Sequence, residues 1–426
     1  IGYYLIDEGK ETLYQVLGVK KHIIKQNTKV KWYISCIYMI SFFISLFSGI
    51  YTYEKTNGIF AILMFLFTFI PVSEIILQIV QQILNKTIKP KLIPKMDFYN
   101  GIEKENATMV VIPTIINSKE KLQDLFGKLE VYYLANQTEN LYFTLLGDCS
   151  SEDQKTVKKD EEIINLGKEL AKELNKKYED RFFPKFHFLY RTRKWNEGEG
   201  SYLGWERKRG LLNQFNRYIL EKEPSDFIVN TIEDYGEEIP KIKYVITLDA
   251  DTDLVLNSAF ELVGAMAHIL NKPVLDKEKN IVVEGHALIQ PKVGIDLITS
   301  RKTLFTKIFA GSGGTDLYTN AISDVYQDNF GEGIFTGKGI YDISVFEQVL
   351  KNEIPENTVL SHDLLEGCYL RCGLASDILL MDGYPCKYNS FMSRLHRWIR
   401  GDWQISKWVK NKIIDKNGNK KKNPLN

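Results

Sequence analysis

A long uncharged stretch near the start of the chain constrains the fold most strongly. From Trp32 to Tyr53 the sequence reads WYISCIYMISFFISLFSGIYTY without one charged residue, enough to cross the roughly 30 Å hydrocarbon core of a bilayer as a helix. A second apolar stretch, Gly58 to Leu84, has no charge before Glu74 and contains Pro71, which membrane helices tolerate. The pattern predicts two transmembrane helices. The alternative is a buried hairpin, although core helices rarely stay uncharged over such lengths.

Lysines flank both apolar stretches on their outer sides, whereas the connection between them carries only Glu54 and Lys55. Because positively charged flanks stay in the cytoplasm, both outer sides are expected there. The first stretch begins behind too much polar chain to be a cleaved signal peptide. The sequence thus predicts a multi-pass membrane protein whose larger region faces the cytoplasm. The flanking lysines are Lys20, Lys21, Lys25, Lys29 and Lys31 before the first stretch, and Lys86, Lys89, Lys91 and Lys95 after the second.

The overall charge gives no reason to expect a nucleic-acid partner. Lys and Arg total 55 and Asp and Glu total 54, a net charge of +1, whereas nucleic-acid-binding domains usually have a basic surface. The five cysteines are scattered and odd in number, so they indicate reduced thiols of a cytoplasmic domain rather than a secreted disulfide framework.

Beyond Ala107, β-branched runs alternate with polar helical stretches, which is typical of an α/β fold with an open, mostly parallel sheet. Ligands of such sheets bind at the carboxyl ends of the strands. The charged stretch 222–243 is interpreted as a surface insertion. Strands are predicted at 108–116, 141–146, 186–190, 244–248 and 281–289, and helices from Ser118 onward and at 152–177, 205–221 and 260–270.

The chain is predicted to comprise five regions, and both of its ends look like cuts from a larger protein. These regions are a cytoplasmic lead-in (1–31), two transmembrane helices (32–84), a cytoplasmic α/β domain (85–388), an amphipathic interface helix (389–412) and a basic tail (413–426).

Two carboxylates follow the apolar strand YVITL, at Asp249 and Asp251. Residues two apart on an extended backbone point the same way, so the two carboxylates repel unless a cation neutralises them. A hard divalent ion, Mg²⁺ or Mn²⁺, that bridges to substrate phosphates is the natural partner. An isolated D-x-D would more often be a solvated turn. Its position directly after a buried strand favours a metal site.

Asp148 and Asp363 stand at two further junctions. Asp148 ends an earlier strand, where it can bind a nucleotide base or ribose or else cap the following helix. Asp363 opens a helix in the run SHDLLE. It forms a reasonable capping box with Glu366, or it acts as a general base toward an attacking hydroxyl. Sequence alone leaves both pairs of alternatives open.

Arginine and tryptophan recur near the end of the chain, in Arg394-Leu395-His396-Arg397-Trp398, within an amphipathic segment suited to a membrane interface. The planar guanidinium of Arg397 also suits a diphosphate. Lys208 lies in a basic helix start that suits a phosphate or else forms a solvated face. The glycine-rich run 331–339 is not a P-loop, since Gly339 stands where Ser or Thr is required.

Together these motifs resemble the GT-A glycosyltransferases, in particular the processive membrane synthases of cellulose, chitin and hyaluronan. The family pattern is an IPT strand, a strand-end Asp, D-x-D, a catalytic Asp and Q-x-x-R-W. Its counterparts are Ile112-Pro113-Thr114, Asp148, Asp249 with Asp251, Asp363, and Arg394 to Trp398. The resemblance implies substrate-binding roles for Thr114 and Trp398. Arg394 stands where most of that group has Gln.

A closer resemblance is to the glycosyltransferase region of the cyclic β-1,2-glucan synthases (glycosyltransferase family 84), carried by WNEGEGSYLGWERKRG, DADTDL, SDVYQDNFGEGIFTGKGIYD, LSHDLLEG and RLHRWIRGDWQ. It implies a bacterial inner-membrane enzyme with UDP-glucose as donor and a growing β-1,2-glucan as acceptor. In that family the glucan grows on a protein-linked primer, for which Tyr318, Tyr326 and Tyr341 are the candidates. The resemblance also implies further transmembrane helices and a phosphorylase-like domain downstream.

The resemblance and the motifs give one mechanistic hypothesis, an inverting single displacement. Asp249 and Asp251 hold the metal, Asp148 holds uridine, Asp363 deprotonates the acceptor 2-hydroxyl, and Arg397 stabilises the departing UDP. Two alternatives remain open: a synthase of another β-glycan such as cellulose or chitin, and a non-catalytic membrane scaffold that binds nucleotide sugars.

Overall fold

The computed structural model describes residues 9, 16, 26–98, 100–179, 184–222, 226–238, 240–310, 325–359 and 361–425. Most of the expected lead-in, and Tyr318 with it, lies outside these residues. The chain divides into two compact units, each described separately below. The first comprises Ile1–Lys91 and Ile322–Glu332, and the second Leu92–Ala321 and Gly333–Asn426.

Two long apolar helices, α1 (Gln26–Lys55) and α2 (Gly58–Thr87), dominate the first unit. Asn57 is the N-cap of α2, and its side-chain oxygen accepts hydrogen bonds from the backbone N–H groups of Ile59 (3.1 Å) and Phe60 (3.2 Å). Within residues 26–91, both helices are long and apolar enough to cross a membrane, by length and composition. No residue of α2 is buried in protein, which is what a lipid-facing helix requires.

The second unit alternates strands and helices. Its strands are β1 (Thr108–Ile115), β2 (Leu141–Asp148), β3 (Phe186–Arg191), β4 (Lys194–Asn196), β5 (Ser201–Leu203), β6 (Phe227–Asn230), β7 (Tyr244–Thr247), β8 (Thr252–Leu254), β9 (Val274–Asp276), β10 (Ile281–Glu284), β11 (Leu288–Ile295), β12 (Gly339–Asp342), β13 (Gly373–Asp382), β14 (Lys412–Ile414) and β15 (Lys420–Lys422). Its helices are α3 (Lys119–Ala135), α4 (Lys158–Lys177), α5 (Arg207–Glu221), α6 (Ser258–Ala267), α7 (Leu297–Ser300), α8 (Leu304–Phe309), α10 (Ile343–Leu350), α11 (Asp363–Leu370) and α12 (Tyr388–Ile405), with α9 (Val325–Phe330) belonging to the first unit.

Within the described residues a nine-stranded mixed sheet has the order β6-β3-β2-β1-β7-β12-β11-β13-β8. Strands β1, β2, β3 and β7 are parallel, and so are β11 and β13. The antiparallel strands are β6, β8 and β12. The predicted α/β fold with a mostly parallel sheet is confirmed.

Hydrophobic cores lie on both faces of the sheet, which is why its central strands are apolar throughout. In β1, Val110 and Ile112 belong to one core, together with residues of α3, α4 and α6. Met109 and Val111 belong to the other, with residues of α5, α10 and α11. Alternating residues of a strand point to opposite faces, so a strand covered by helices on both sides reads as one continuous apolar run.

Three predicted elements differ from the structure. The helix expected at 152–177 begins at Lys158, because the backbone of Glu152 pairs with Tyr202 instead. The strand expected at 281–289 is two strands, β10 and β11, interrupted at Gly285, whose φ of +66° breaks the extended backbone. The stretch 222–243, expected as a surface insertion, contributes the edge strand β6 to the main sheet.

The end of the chain also differs from expectation. The amphipathic helix expected at 389–412 spans Tyr388–Ile405 and continues as a 3₁₀ turn over Ser406–Val409. Residues 413–426, expected as a basic tail, contain most of the hairpin β14–β15. Asn423 is buried there, its side-chain amide donating to the Lys410 carbonyl at 2.9 Å. Burial of Ile413 and this hydrogen bond explain why a lysine-rich segment is folded.

Candidate active site

The D-x-D segment forms a tight link between the centre and the edge of the sheet. Strand β7 ends at Thr247, and β8 begins at Thr252 beside β13. Lys128 of α3 donates to the Ala250 carbonyl at 3.0 Å, and the Tyr132 hydroxyl donates to the Thr252 carbonyl at 2.7 Å. These contacts fix the backbone that carries Asp249 and Asp251.

Two lysines flank Asp249. Lys208, from the first turn of α5, approaches its Oδ1 at 2.6 Å, and Lys338 lies 3.5 Å from its Oδ2. Burial raises the pKa of Asp249, but the positive charges of Lys208 and Lys338 outweigh this effect and hold the pKa at about 2. Burial lowers the pKa of Lys208, but Asp249 and Asp363 together raise it. Both groups are therefore charged at neutral pH.

Asp251 faces a different cation, Arg394 of α12. The arginine Nη1 lies 3.7 Å from Asp251 Oδ2, and Nη2 lies 3.9 Å from Oδ2 of Asp382 at the end of β13. The Arg394 guanidinium also lies over the Trp398 ring, 4.9 Å from its centroid. The Asp251 side chain is 53% exposed, whereas that of Asp382 is 1% exposed. Of the two carboxylates, Asp251 is thus the one that solvent and ligands can reach.

Asp382 and Lys338 are site residues that sequence reasoning missed. The buried Lys338 forms an ion pair with Asp382, which also accepts a 2.5 Å hydrogen bond from Thr252 Oγ1 beside the D-x-D. Burial raises the pKa of Asp382, an effect that Lys338 opposes. The signal in the sequence is the lysine of FTGKG, which lies in the glycine-rich run 331–339. Strand β12, inserted between β7 and β11, brings that run to the site.

Asp363 lies in the same cluster. The Lys208 ammonium that contacts Asp249 also donates to the Gly337 carbonyl at 2.9 Å. A Cβ on Gly337, whose φ is +89°, would lie 2.8 Å from Asp363 Oδ1. Only glycine therefore permits both this turn and this close approach. The D-x-D and the predicted base are thus joined through Lys208 and Gly337.

The carboxylate of Asp363 does not cap its helix. His362 precedes α11 without a side-chain capping bond, and Asp363 is the first helical residue. In the described structure, Asp363 Oδ1 is buried and has no hydrogen-bond partner. The capping-box interpretation is therefore wrong. A carboxylate oxygen that has no hydrogen-bond partner in the described structure, at the edge of a charged cluster, is a candidate to accept a proton.

His362 and Glu366 form a hydrogen-bonded pair next to Asp363. His362 Nδ1 lies 2.8 Å from Glu366 Oε1 and 3.7 Å from Asp363 Oδ1. Burial lowers the pKa of His362, but the charges of Glu366 and Asp363 raise it by a larger amount, so the pKa lies above its ordinary value. One ligand atom from each of the three residues lies within 4.8 Å of the others. The direct His362–Glu366 bond accounts for this grouping without a metal ion.

Asp148 is buried and fully engaged within the protein. Arg191 binds both of its oxygens, Nε to Oδ1 at 2.9 Å and Nη2 to Oδ2 at 2.7 Å, and Oδ1 also accepts from the Cys149 N–H at 2.9 Å. A Cβ on Gly204 would lie 1.9 Å from Asp148 Oδ1, so glycine is required beside this pair. This geometry makes Asp148 the anchor between β2, β3 and the segment before α5.

Three predicted site residues remain: Thr114, Arg397 and Tyr326. Thr114 lies near the end of β1 beside Gly147 of β2. Arg397 is exposed and makes no hydrogen bond or ion pair with any residue of the described chain. Tyr326 belongs to the first unit, where its ring lies 6.2 Å from that of Phe330. Their predicted substrate contacts remain predictions.

Tyr341 is unsuited to carry a primer. It is 1% exposed, and its hydroxyl donates to Asn216 Oδ1 at 2.9 Å. A glycan attached to this oxygen would have no space.

The donor set fits a divalent cation of the Mg²⁺ or Mn²⁺ type. Asp249 and Asp251 offer hard oxygen ligands at the mouth of the sheet, and such ions are usually bound by one or two carboxylates plus substrate phosphates. Each carboxylate has a cationic partner, Lys208 or Arg394, that an incoming divalent ion can displace. The two cations also offset the repulsion between the neighbouring carboxylates.

Comparison with known proteins gives one strong similarity. No protein-family model matches the chain. The chain is 35% identical over 421 residues to the cyclic beta-(1,2)-glucan synthase NdvB of Rhizobium meliloti (strain 1021). The match covers 96% of this chain and 15% of that protein, so the chain corresponds to one region of a much larger relative. The resemblance predicted from the motifs is thereby confirmed: over nearly its whole length, the chain is similar to a region of a cyclic beta-(1,2)-glucan synthase.

Proposed function

We propose that the chain is the glycosyltransferase portion of a membrane-bound enzyme that transfers glucose from UDP-glucose to the 2-hydroxyl of a growing β-1,2-glucan, with inversion. The similarity to a cyclic beta-(1,2)-glucan synthase supports glucan synthesis. One geometric observation carries the assignment of the site. Lys208 bonds Asp249 of the D-x-D and the carbonyl of Gly337, against which Asp363 packs. A charged cluster and a carboxylate oxygen that has no hydrogen-bond partner in the described structure therefore meet in one place.

In this proposal Asp363 accepts the proton of the acceptor 2-hydroxyl. The acceptor oxygen forms a bond to the anomeric carbon of glucose while the bond from that carbon to the diphosphate breaks, so UDP leaves from the opposite face. A divalent ion held by Asp249 and Asp251 would supply positive charge for the departing diphosphate. Lys208 adds a fixed positive charge at the same place, and preorganised charge of this kind usually contributes most to catalysis.

Further substrate contacts are proposed from the family pattern. Thr114 and Asp148 line the nucleotide end, Trp398 contacts the acceptor, and Arg397 approaches the diphosphate. Since both oxygens of Asp148 are bound by Arg191, its role toward uridine would be to shape the pocket. Tyr318 and Tyr326 remain the candidates for attachment of a protein-linked primer.

The enzyme is further proposed to lie in a bacterial inner membrane with its catalytic unit in the cytoplasm. Helices α1 and α2 have the length and composition of membrane spans. The catalytic unit itself has large exposed apolar side chains on α7, α8 and α12, among them Leu304, Ile308 and Trp403. The chain spans 15% of its relative's length, which is consistent with further transmembrane helices and a phosphorylase-like domain in a larger parent protein.

Replacement of Asp363 by Asn tests the proposed base directly. Asn keeps the shape of Asp but cannot accept the proton, so turnover of UDP-glucose should fall by roughly 10²- to 10⁴-fold. Binding of UDP-glucose, measured by calorimetry, should not change. Asp124→Asn, at an exposed position of α3, is the matched control and should retain activity.

Near-normal turnover by Asp363→Asn would refute the assignment of Asp363. Linkage analysis of the glucan made by the wild-type protein separates β-1,2-glucan synthesis from synthesis of another β-glycan. Binding of UDP-glucose with no transfer to any acceptor, in the presence of the parent's other domains, would favour a non-catalytic scaffold.

A further inference from the structure

Two buried polar side chains lie beside Asp363, and neither forms a hydrogen bond with its Oδ1. His362 precedes Asp363 directly, and Glu366 lies one turn further along α11. Their exposed fractions are 4% and 3%. His362 Nδ1 lies 2.8 Å from Glu366 Oε1 but 3.7 Å from Asp363 Oδ1. The imidazole is therefore bonded to Glu366 and only faces Asp363.

The longer of these two distances suits a group that has to orient a base. A separation of 3.7 Å is beyond the 2.7–3.2 Å of an N–H···O hydrogen bond, yet a positive charge at that distance still attracts a carboxylate. A hydrogen bond to Asp363 Oδ1 would instead compete with the hydroxyl of the acceptor. A charged His362 thus orients the Asp363 carboxylate without occupying the oxygen that is to take the proton.

The surroundings of His362 favour its charged form. Burial lowers the pKa of His362, but Glu366 and Asp363 raise it by a larger amount, so the pKa lies above its ordinary value. Arg209 of α5 also faces the imidazole and lowers its pKa slightly, while Arg209 is itself paired with the buried Glu206. The positive charge is therefore present below the raised pKa and is lost as the pH rises through it.

The loop that leads into α11 is fixed on two sides. Arg209 donates to the Ile354 carbonyl at 3.3 Å, which ties the start of this loop to α5. A Cβ on Gly401 of α12 would lie 2.0 Å from Ser361 Oγ, so the end of the loop packs closely against that helix. Because Ser361 adjoins His362, this packing and the bond to Glu366 hold the imidazole beside Asp363.

We propose that His362, held by Glu366, is a positioning residue of the transfer reaction, whose positive charge orients the Asp363 carboxylate toward the acceptor hydroxyl and leaves its Oδ1 available for the proton. This inference rests on the proposed function, in which Asp363 is the base. Neither His362 nor Glu366 contacts donor or acceptor in this proposal. Both act through Asp363, so the rate of transfer depends on them and the affinity for the donor does not.

The pH dependence of UDP release from UDP-glucose tests the inference, measured on the detergent-solubilised protein with Mg²⁺ and a short β-1,2-glucan acceptor. Wild-type turnover should fall on the alkaline side as His362 loses its proton. His362→Asn keeps an N–H group near the place of Nδ1 but carries no charge. Its turnover should be roughly 10- to 100-fold lower, the cost of a misplaced reacting group, and should lack this alkaline fall.

Glu366→Gln separates the charge from the hydrogen bond. The amide oxygen of Gln still accepts from the imidazole, but the negative charge that raises the pKa of His362 is gone. The alkaline fall should therefore move to lower pH. Calorimetry should find unchanged affinity for UDP-glucose in both variants. His268→Gln, in the turn after α6, is the matched control and should keep the wild-type pH profile.

Thermal unfolding shows whether each variant is folded, and Glu366→Gln carries the test if His362→Asn is not. An alkaline fall at the wild-type pH in every folded variant would overturn the inference alone, even if those variants were slower at all pH values. A loss of UDP-glucose affinity as large as the loss of turnover would also overturn it. Wild-type protein that releases no UDP would overturn the proposed function, and this inference with it.

Discussion

Asp148 and Arg191 form an ion pair that is almost closed to solvent, with side chains 4% and 0% exposed. Breaking a buried pair leaves one charge without a partner, which is far more costly than breaking a pair in water. The buried ion pair therefore gives Asp148 a structural role, which is to stabilise the folded protein, independent of any contact with a nucleotide. The same reasoning explains Gly204, since any side chain there would collide with the Asp148 carboxylate.

Asp148→Ala should destabilise the protein by about 3–5 kcal/mol, since Arg191 would remain buried and unpaired. Glu221→Ala is the control, because it breaks the exposed pair with Lys351 and should cost about 0–1 kcal/mol. Denaturant unfolding of both variants measures the difference. An Asp148→Ala protein of wild-type stability that failed to bind UDP would show instead that the carboxylate acts mainly on the nucleotide.

Site residues differed in how far the sequence could reveal them. Asp249 and Asp251 follow a recognisable strand, and Asp363 opens a recognisable helix, so local pattern was enough to place them near the carboxyl edge of a sheet. Lys338 and Asp382 follow no such strand or helix pattern, and their pairing depends on β12 entering the sheet between β7 and β11. That insertion is a property of the tertiary fold. Likewise, the sequence does not show that Arg394 lies beside Asp251 and Asp382, because only the tertiary fold brings α12 to these residues.

At the scale of elements, α7, α8 and α12 form one amphipathic surface of the catalytic unit. Phe305 of α8 contacts Tyr388 and Phe391 of α12, with ring centroids 5.9 and 5.8 Å apart. Large apolar side chains remain exposed around this aromatic cluster: Leu297, Ile298, Leu304, Ile308, Phe309, Trp403 and Val409. Exposed basic residues accompany them, including Arg301, Lys302 and Lys307. Such a combination suits the headgroup region of an anionic bilayer.

A fluorescent label at Ile308→Cys should enter the lipid when the protein is in liposomes. The background variant would replace the exposed Cys36 and Cys368 by serine. We expect a blue-shifted emission that spin-labelled lipids quench, because apolar side chains on a basic amphipathic surface favour the membrane interface. A label at Lys172→Cys, on the exposed side of α4, should stay in water. Equal quenching at both positions, or none at Ile308→Cys, would contradict membrane contact by α8.

Element prediction succeeded where one local signal dominated and failed where neighbouring segments competed. The two long helices α1 and α2 followed from hydropathy, and β1, β2 and β3 from short runs rich in β-branched and aromatic residues. The 281–289 run looked continuous because its composition does not show the turn at Gly285, which is required where a Cβ would lie 2.0 Å from the Lys272 carbonyl oxygen. Strand β6 was hidden in a charged segment because an edge strand has to bury only part of its surface.

At the scale of the whole molecule, the second unit carries the proposed catalytic centre, a charged cluster at the carboxyl edge of a mixed sheet, and the first unit contains a pair of helices of membrane length. The central claim is that this centre transfers glucose from UDP-glucose. The acidic and basic residues of this centre are matched, Asp249 with Lys208 and Asp251 with Arg394. A divalent ion and a diphosphate have opposite charges of similar size, so the two can enter together with little change in net charge.

The most direct test is UDP release from UDP-glucose by the detergent-solubilised protein, with Mg²⁺ or Mn²⁺ and a short β-1,2-glucan acceptor. The account predicts release that stops on chelation of the metal, rises with acceptor, and is lost in Asp249→Ala but not in Asp124→Asn. Release that persists after chelation, or that Asp249→Ala retains, would contradict it.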